Sequence, residues 1–599
     1  MEGAALCGRR GNSYSVDVRN RIKETCRLIL AAGLLQSAAL LAQTPSAPPP
    51  SNAGIYPLDQ VHRGLRGVAY TVFEGTQPEA MDVEILGVLK AALGPGKDMI
   101  LARLHGTKPE YTGVVAGMSG SPVYVDGKLL GALSYRIGEF SKEPIAGITP
   151  IAQMLEVRDD SSASHPDAAS PVVASQGFVP IETPLVLSGF SPQAIKLWQD
   201  RFSGTGMMPV AGVGGGASTQ PQPEPIVPGS AVSALLVQGD LQIAATCTVT
   251  YVDKDQLLAC GHPITQFGSV SIPMTKAVVL ATLPSPLNAF KIVNTTETVG
   301  AFTDDRHSAI RGVFHRNASM VPVTVSIHGT DRPRELHFEV IDQPQITPSA
   351  LMVSVYQALL DSNSVGGDTS FHLRGNVDLD GYAPVPLDSW IAPAENRPAN
   401  LSAAVMVGER FSEIYSNSTR QAKIRGVTLN VEAVPERRTL QLEAARTSTQ
   451  EVHAGDTITV EATVRPYRGP ARNIRIPVKL PVSLPGGPLR LLVSDSAALD
   501  RITQPALTGS HPLDMNATIA QIEGIRANDR LYVTLLMPGA QALLEGRTLP
   551  ELPISMANVL EPLRSAHEMT LNGESAIPVT SIPVDAVLTG QQVISLHID

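Results

Sequence analysis

At 599 residues the chain exceeds what one hydrophobic core supports, so about two to four domains are expected. Apolar residues make up 43 % and charged residues 17 %, which excludes a largely disordered polymer. The formal net charge of −10 is spread without a basic block, and this excludes nucleic acid as the partner. With 50 Gly, 48 Pro and only 4 % aromatics, the composition favours many short strands joined by turns, a mainly β protein.

In chain order, the first element is an address. Arg19, Arg21, Lys23 and Arg27 precede an apolar run from Leu28 to Ala42, followed by Gln43-Thr44-Pro45. A basic stretch, an apolar run of about 15 residues and a small residue at its end read as a secretory signal over 1–43. A membrane span needs about 20 residues, so a retained anchor is the weaker reading. The mature chain is then expected outside the cytoplasm, periplasmic or extracellular, with no membrane span. Ser46 to Gly54, with three consecutive prolines, reads as a linker.

Over 55–158 short apolar runs alternate with turns. Met81 to Leu89 and Met99 to Leu104 are predicted strands. Val123-Tyr124-Val125, Asp126-Gly127 and then Lys128 to Tyr135 give the strongest hairpin signal, because Asp-Gly suits the mirror-image turn that hairpins require. Residues 203–230 are dense in Gly, Pro, Ser and Gln and read as an interdomain linker. A second β-rich block covers 231–345.

Of the four cysteines, Cys7 and Cys26 leave with the signal. Cys247 and Cys260 flank a predicted hairpin with Asp253-Lys254 at its turn, which would set Cys247 opposite Cys260. A disulfide is possible there in an oxidising compartment, although a slipped turn would separate the pair. No cysteine or histidine spacing suits a metal, and no metal or other cofactor is expected. Within a mixed region at 346–438, Pro348 to Asp361 is the one good amphipathic helix, with Leu351, Val355, Ala358 and Leu359 on one face. Over 440–599, Ile458, Val460, Ala462 and Val464 alternate with polar residues, and a β-sandwich-like domain is expected.

The run with chemical potential is Gly117-Met118-Ser119-Gly120-Ser121-Pro122. A Ser hydroxyl becomes a nucleophile when a base takes its proton and donors hold the oxyanion. The glycines allow a tight turn that aims Ser119 outward while the Gly117 and Ser119 amides converge. Together with the hairpin behind it, this run resembles the Gly-Asp-Ser-Gly-Gly-Pro of chymotrypsin-like proteases. Met118 and Ser121 depart from that pattern and match the SpoIVB-type serine peptidases, which look like Gly-Met-Ser-Gly-Ser-Pro before the same hairpin. Ser121 is the fallback nucleophile.

The resemblance implies a base as well. His262, in Cys260-Gly261-His262-Pro263-Ile264, is similar to the family's Gly-His-x-Ile, and a His at a strand end can serve as general base. His105 is its rival. For a third member, Asp305 lies 43 residues after His262; Asp304 is equally suited by chemistry, and Glu110 is the acidic residue just before the serine. The family runs His first and Ser second, whereas here the Ser half precedes the His half. Geometry rather than order defines such a triad, so the implied fold is a chymotrypsin-like double β-barrel in permuted order. The implied function is an exported serine endopeptidase acting on a protein or peptide substrate, with Tyr135 and Arg136 as a possible substrate pocket by analogy. A cell-envelope protein is the expected partner of the C-terminal domain. The alternative is an inactive β-rich scaffold.

Overall fold

The computed structural model describes residues 47–599 apart from 50–53, 138–142, 160–176, 203–206, 212–220, 286–288, 330–332, 363–366, 417–421, 504–514, 538, 545–546, 561–568 and 573. The expected secretory signal at 1–43 lies outside the described residues, as do parts of the 203–230 linker.

Strands that are mostly buried along their length close into two barrels. The first holds β1 (Arg66–Thr71), β2 (Glu79–Leu89), β3 (Met99–His105), β4 (Pro122–Val125), β5 (Lys128–Ile137) and β6 (Ile145–Pro150). Its order β4-β1-β2-β3-β6-β5 closes through the β4–β5 hairpin. The Asp-Gly turn behaves as its sequence predicts: Val125 pairs with Lys128, and Asp126 and Gly127 both take positive φ. A short helix, α1 (Thr107–Thr112), follows β3, and α2 (Ile151–Asp159) follows β6.

A three-residue edge strand, β7 (Phe178–Pro180), pairs with β5, and β8 (Thr183–Ser188) crosses to the second sheet. Then come α3 (Pro192–Phe202) and β9 (Met207–Ala211), a strand within the stretch read as linker. The second barrel comprises β10 (Ala231–Gly239), β11 (Gln242–Val252), β12 (Gln256–Ala259), β13 (Gly268–Leu283), β14 (Phe290–Arg306) and β15 (Ala309–Phe314). The order β10-β13-β14-β15-β12-β11 closes through β10–β11. The fold is thus mainly β, with a chymotrypsin-like pair of barrels and the Ser-bearing barrel first.

The second barrel opens on its β10 side into an extended sheet of β16 (Met320–His328), β17 (Arg334–Ile341), β18 (Ser370–Leu379), β19 (Val385–Ile391) and β20 (Ile424–Val434). Two helices, α4 (Thr347–Ser362) and α5 (Ala399–Tyr415), pack together and against this sheet. Here the sequence reading needs correcting. α4 buries Met352, Val353 and Ser354 as fully as Leu351 and Val355, because neighbours enclose it on several sides. The C-terminal region forms a four-stranded and a five-stranded sheet around a common core that includes Val460, Val464, Leu491 and Val533.

Candidate active site

The Ser119 turn hangs from the first barrel and rests on the second. Met118 plugs the first core, fully buried beside Ala69, Ile85 and Val123. Ser121 donates its hydroxyl to the Met118 carbonyl at 2.6 Å and closes the turn, which gives this serine a structural task. The Gly120 amide reaches Leu133 O at 2.7 Å, and the Leu133 amide reaches Ser121 O at 2.9 Å, tying the turn to β5.

From the other side, β11 grips the same turn. The Thr248 amide donates to Ser119 O at 2.8 Å, the Thr248 hydroxyl to Gly117 O at 2.9 Å and the Thr250 hydroxyl to Gly120 O at 2.7 Å. Gly120 must be glycine. Its φ is 93°, and a Cβ there would lie 1.9 Å from Thr248 O and 2.5 Å from the Cys260 amide.

That contact brings the His262 loop to the serine. Cys260 is joined to Cys247 with a Cα–Cα distance of 5.2 Å, by a route the simple hairpin register does not give. Val252 pairs with Leu257 rather than Asp255, a register irregularity lies between Val249 and Tyr251, and Cys260 turns to φ 68°. The irregularity recovers part of the slip and the left-handed turn recovers the rest. Gly261 then lies over β5, its missing Cβ 2.1 Å from Ser134 Oγ, and its carbonyl accepts the Thr149 hydroxyl at 2.8 Å.

His262 is 3 % exposed. Its Nδ1 sits 2.8 Å from the Pro263 carbonyl; donation there leaves Nε2 with the free lone pair a base requires. Burial lowers the imidazole pKa below the ordinary value, so the ring is neutral at pH 7. Ser119 is fully buried, and neither its Oγ nor His262 Nε2 has a hydrogen-bond partner, so the two are not bonded to each other.

The acidic candidates fall elsewhere. Asp305 accepts the amides of Ile264, Thr265 and Gln266 and the Thr265 hydroxyl, so its carboxylate organises the loop after His262 rather than the ring. The hydrogen-bond partner of the His262 ring is instead the Pro263 carbonyl. Asp304 pairs with Arg311 at 2.9 Å. Glu110 accepts the Gly106 amide at 3.2 Å and lies 3.5 Å from His105, whose other nitrogen meets Glu84 at 3.1 Å. His105 is therefore held between carboxylates on the first barrel. The Tyr135 ring is 2 % exposed and part of the interior, and burial raises its phenol pKa, so it lines no open pocket. Arg136 pairs with Glu182 at 2.8 Å. The Gly117 amide, one of the two expected oxyanion donors, is bonded to Glu182 O at 3.2 Å.

One residue escaped sequence reasoning. Lys291 on β14 is 1 % exposed, with its Nζ 2.7 Å from Thr71 Oγ1 and its Cδ 3.2 Å from where a Gly117 Cβ would stand. Burial brings its ammonium down to about 7. Thr71 and Thr248 hydroxyls lie 3.4 Å apart, so a run of hydroxyls leads from Lys291 to the Gly117 carbonyl. A single lysine in a long strand carries no sequence signal of such a position. Among the described residues no group of His, Cys, Asp and Glu could hold a metal.

Two closed barrels, with a serine turn of one lodged against a histidine loop of the other, define a chymotrypsin-like peptidase architecture. Residues 47–153 match the family model described as SpoIVB peptidase S55. The match bears out the resemblance seen in the Ser119 motif and spans the whole first barrel, while the His-bearing barrel lies beyond it. No curated protein and no solved structure matches the chain.

Proposed function

We propose that the chain is an exported serine endopeptidase. Ser119 Oγ attacks a peptide carbonyl, His262 Nε2 takes the proton and returns it to the leaving amine, and the Gly117 and Ser119 amides hold the oxyanion. The observation that carries this reading is the backbone contact of Gly120 with Cys260, which brings the turn of Ser119 and the loop of His262 together from separate barrels. The neutral, tautomer-fixed imidazole supports the role of base. Export rests on the N-terminal signal pattern, and the Cys247–Cys260 bond accords with an oxidising compartment. Among the described residues no helix is long and apolar enough to cross a membrane. The substrate is a protein or peptide, and the C-terminal region is the part free to dock a cell-envelope partner.

A fluorophosphonate probe tests the reading. Wild type is expected to label and Ser119→Ala to stay unlabelled, while Ser119→Ala and His262→Ala should each lower turnover by about 10⁶-fold if they act as a unit. Labelling that survives Ser119→Ala would exclude the nucleophile. One observation favours a second reading, an inactive scaffold: Ser119 Oγ and His262 Nε2 are both buried and unpaired. A scaffold predicts no labelling under any condition that opens the site.

A further inference from the structure

β7 belongs to neither closed barrel. It is an edge strand paired antiparallel with β5, Tyr135 opposite Pro180, Arg136 opposite Val179 and Ile137 opposite Phe178. The chain continues into Ile181 and Glu182 across the Ser119 turn. The Ile181 amide donates to Ser134 O at 2.8 Å, and the Gly117 amide donates to Glu182 O at 3.2 Å. The Ile181 carbonyl faces the His262 ring and supports its proton affinity, although no hydrogen bond closes on Nε2. Ile181 is fully buried, and Glu182 extends to Arg136, Oε1 to Nη2 2.8 Å. These are the contacts an extended peptide makes when it adds to a strand edge beside a nucleophile: ladder bonds for affinity, a carbonyl on an oxyanion donor and a side chain read by charge.

We propose that Phe178–Glu182 is an internal substrate-like strand filling the peptide track along β5, and that a substrate reaches Ser119 by replacing it with a strand whose acidic residue takes Glu182's place on Arg136. The inference rests on Ser119 being the nucleophile. Occupation of the track accounts for the burial of Ser119 and His262 and for the engaged Gly117 amide. The strand is built to leave. Phe178, Val179 and Pro180 are only half-buried, and the ladder is three residues long. Short edge ladders open at far lower free energy than the core. From Thr183 onward the chain is anchored in the second sheet, with Leu185 and Leu187 in its core, so the hinge falls between Glu182 and Thr183. The peptide class that fits is one with an apolar residue in Ile181's place followed directly by Asp or Glu.

The test places a repulsive charge on the partly exposed position of the pair. In Glu182→Arg of the mature chain, exchange of the amides within 178–182 (Phe178, Val179, Ile181 and residue 182; Pro180 has none) and fluorophosphonate labelling of Ser119 are both expected to accelerate by about tenfold or more. The double variant Arg136→Glu/Glu182→Arg should restore slow exchange and slow labelling, and unchanged exchange in the two barrel cores serves as the folding control. Unchanged exchange at 178–182, or exchange that quickens while labelling stays at a measurable wild-type rate, overturns the inference and leaves the peptidase reading intact. Faster exchange with no labelling in any variant removes Ser119 as nucleophile, and the inference falls with it. For recognition, Glu182→Arg should cleave a synthetic peptide with an Ile-Glu pair about tenfold faster than its Ile-Lys counterpart; equal rates overturn the part given to Arg136.

Discussion

At the residue scale, the candidate site is built from groups whose charge burial has altered. His262 keeps a neutral ring below the pH at which an exposed imidazole would charge, because desolvation outweighs the carbonyls near it. If it is the base, the acid limb of kcat/KM lies below pH 6.5, and a profile measured on a peptide substrate checks this. A limb above 6.5 would assign the titration to another group. Asp305 acts on the same ring at one remove. In Asp305→Asn an NH2 group replaces one of the acceptor oxygens that hold the amides of residues 264–266, so the loop shifts. A misplacement of about 1 Å costs about 10²-fold in kcat with little change in KM. Lys291 gives a separate signature. The folded chain releases its proton near pH 7, whereas an unfolded lysine keeps it to about 10.4. Between those limits the unfolded state binds more protons, so stability rises with pH, by at most about 1.4 kcal/mol per unit. Lys291→Met should flatten that rise between about pH 7 and 9, as read from denaturant midpoints across the range.

At the element scale, what was legible in the sequence was local. The Asp126-Gly127 hairpin, β2 and β3, and the alternating strand at Thr457–Pro466 follow from turn chemistry and period-two patterning alone. Ser119 could be singled out because its turn and hairpin are contiguous. What stayed hidden depends on contacts between distant segments. Asp305 could be picked as an acid near His262 in the fold, but not as a cap on 264–266, since its target is decided by how β14 passes that loop. β7 is three residues of ordinary composition whose meaning comes from β5. The Cys247–Cys260 hairpin lies between these cases: both cysteines were evident, but not the irregularity and left-handed turn that join them. Their separation of 13 makes the bond a short-loop tether two residues from His262. Replacing both with Ser should lower stability by about 3 kcal/mol on the chain-entropy estimate. It should also raise amide exchange at 259–262, since the tether holds the strand end against Gly120. Stability loss without local exchange would mean that the tether does not position His262.

At the scale of the whole molecule, the C-terminal region is joined to the barrels more closely than a detachable module would be. Its sandwich has its own core, yet the helix Met515–Glu523 between its strands packs elsewhere. Met515, Ile519 and Ile522 are buried in the core of the second barrel and its extended sheet, against α5 and β19. A side-chain clasp lies nearby, where Asn528 accepts the Trp390 amide at 3.1 Å and donates to the Trp390 carbonyl at 2.7 Å. The alternating pattern over 440–599 reads as a separate domain because a sequence window sees the sandwich strands and not the destination of one helix between them. Burying each such aliphatic side chain contributes about 1.5–3 kcal/mol, so three of them together are comparable with the net stability of a domain. A chain ending at Val434 therefore exposes the apolar face of α5. It should bind a hydrophobic dye and lose protection from proteolysis within Ala399–Tyr415, even though every strand of both barrels is present. A chain carrying Ile519→Asp, with the sandwich otherwise intact, should reproduce that loss of protection at α5. If the truncated chain instead keeps α5 protected, the helix is a passenger and the C-terminal region a separable domain.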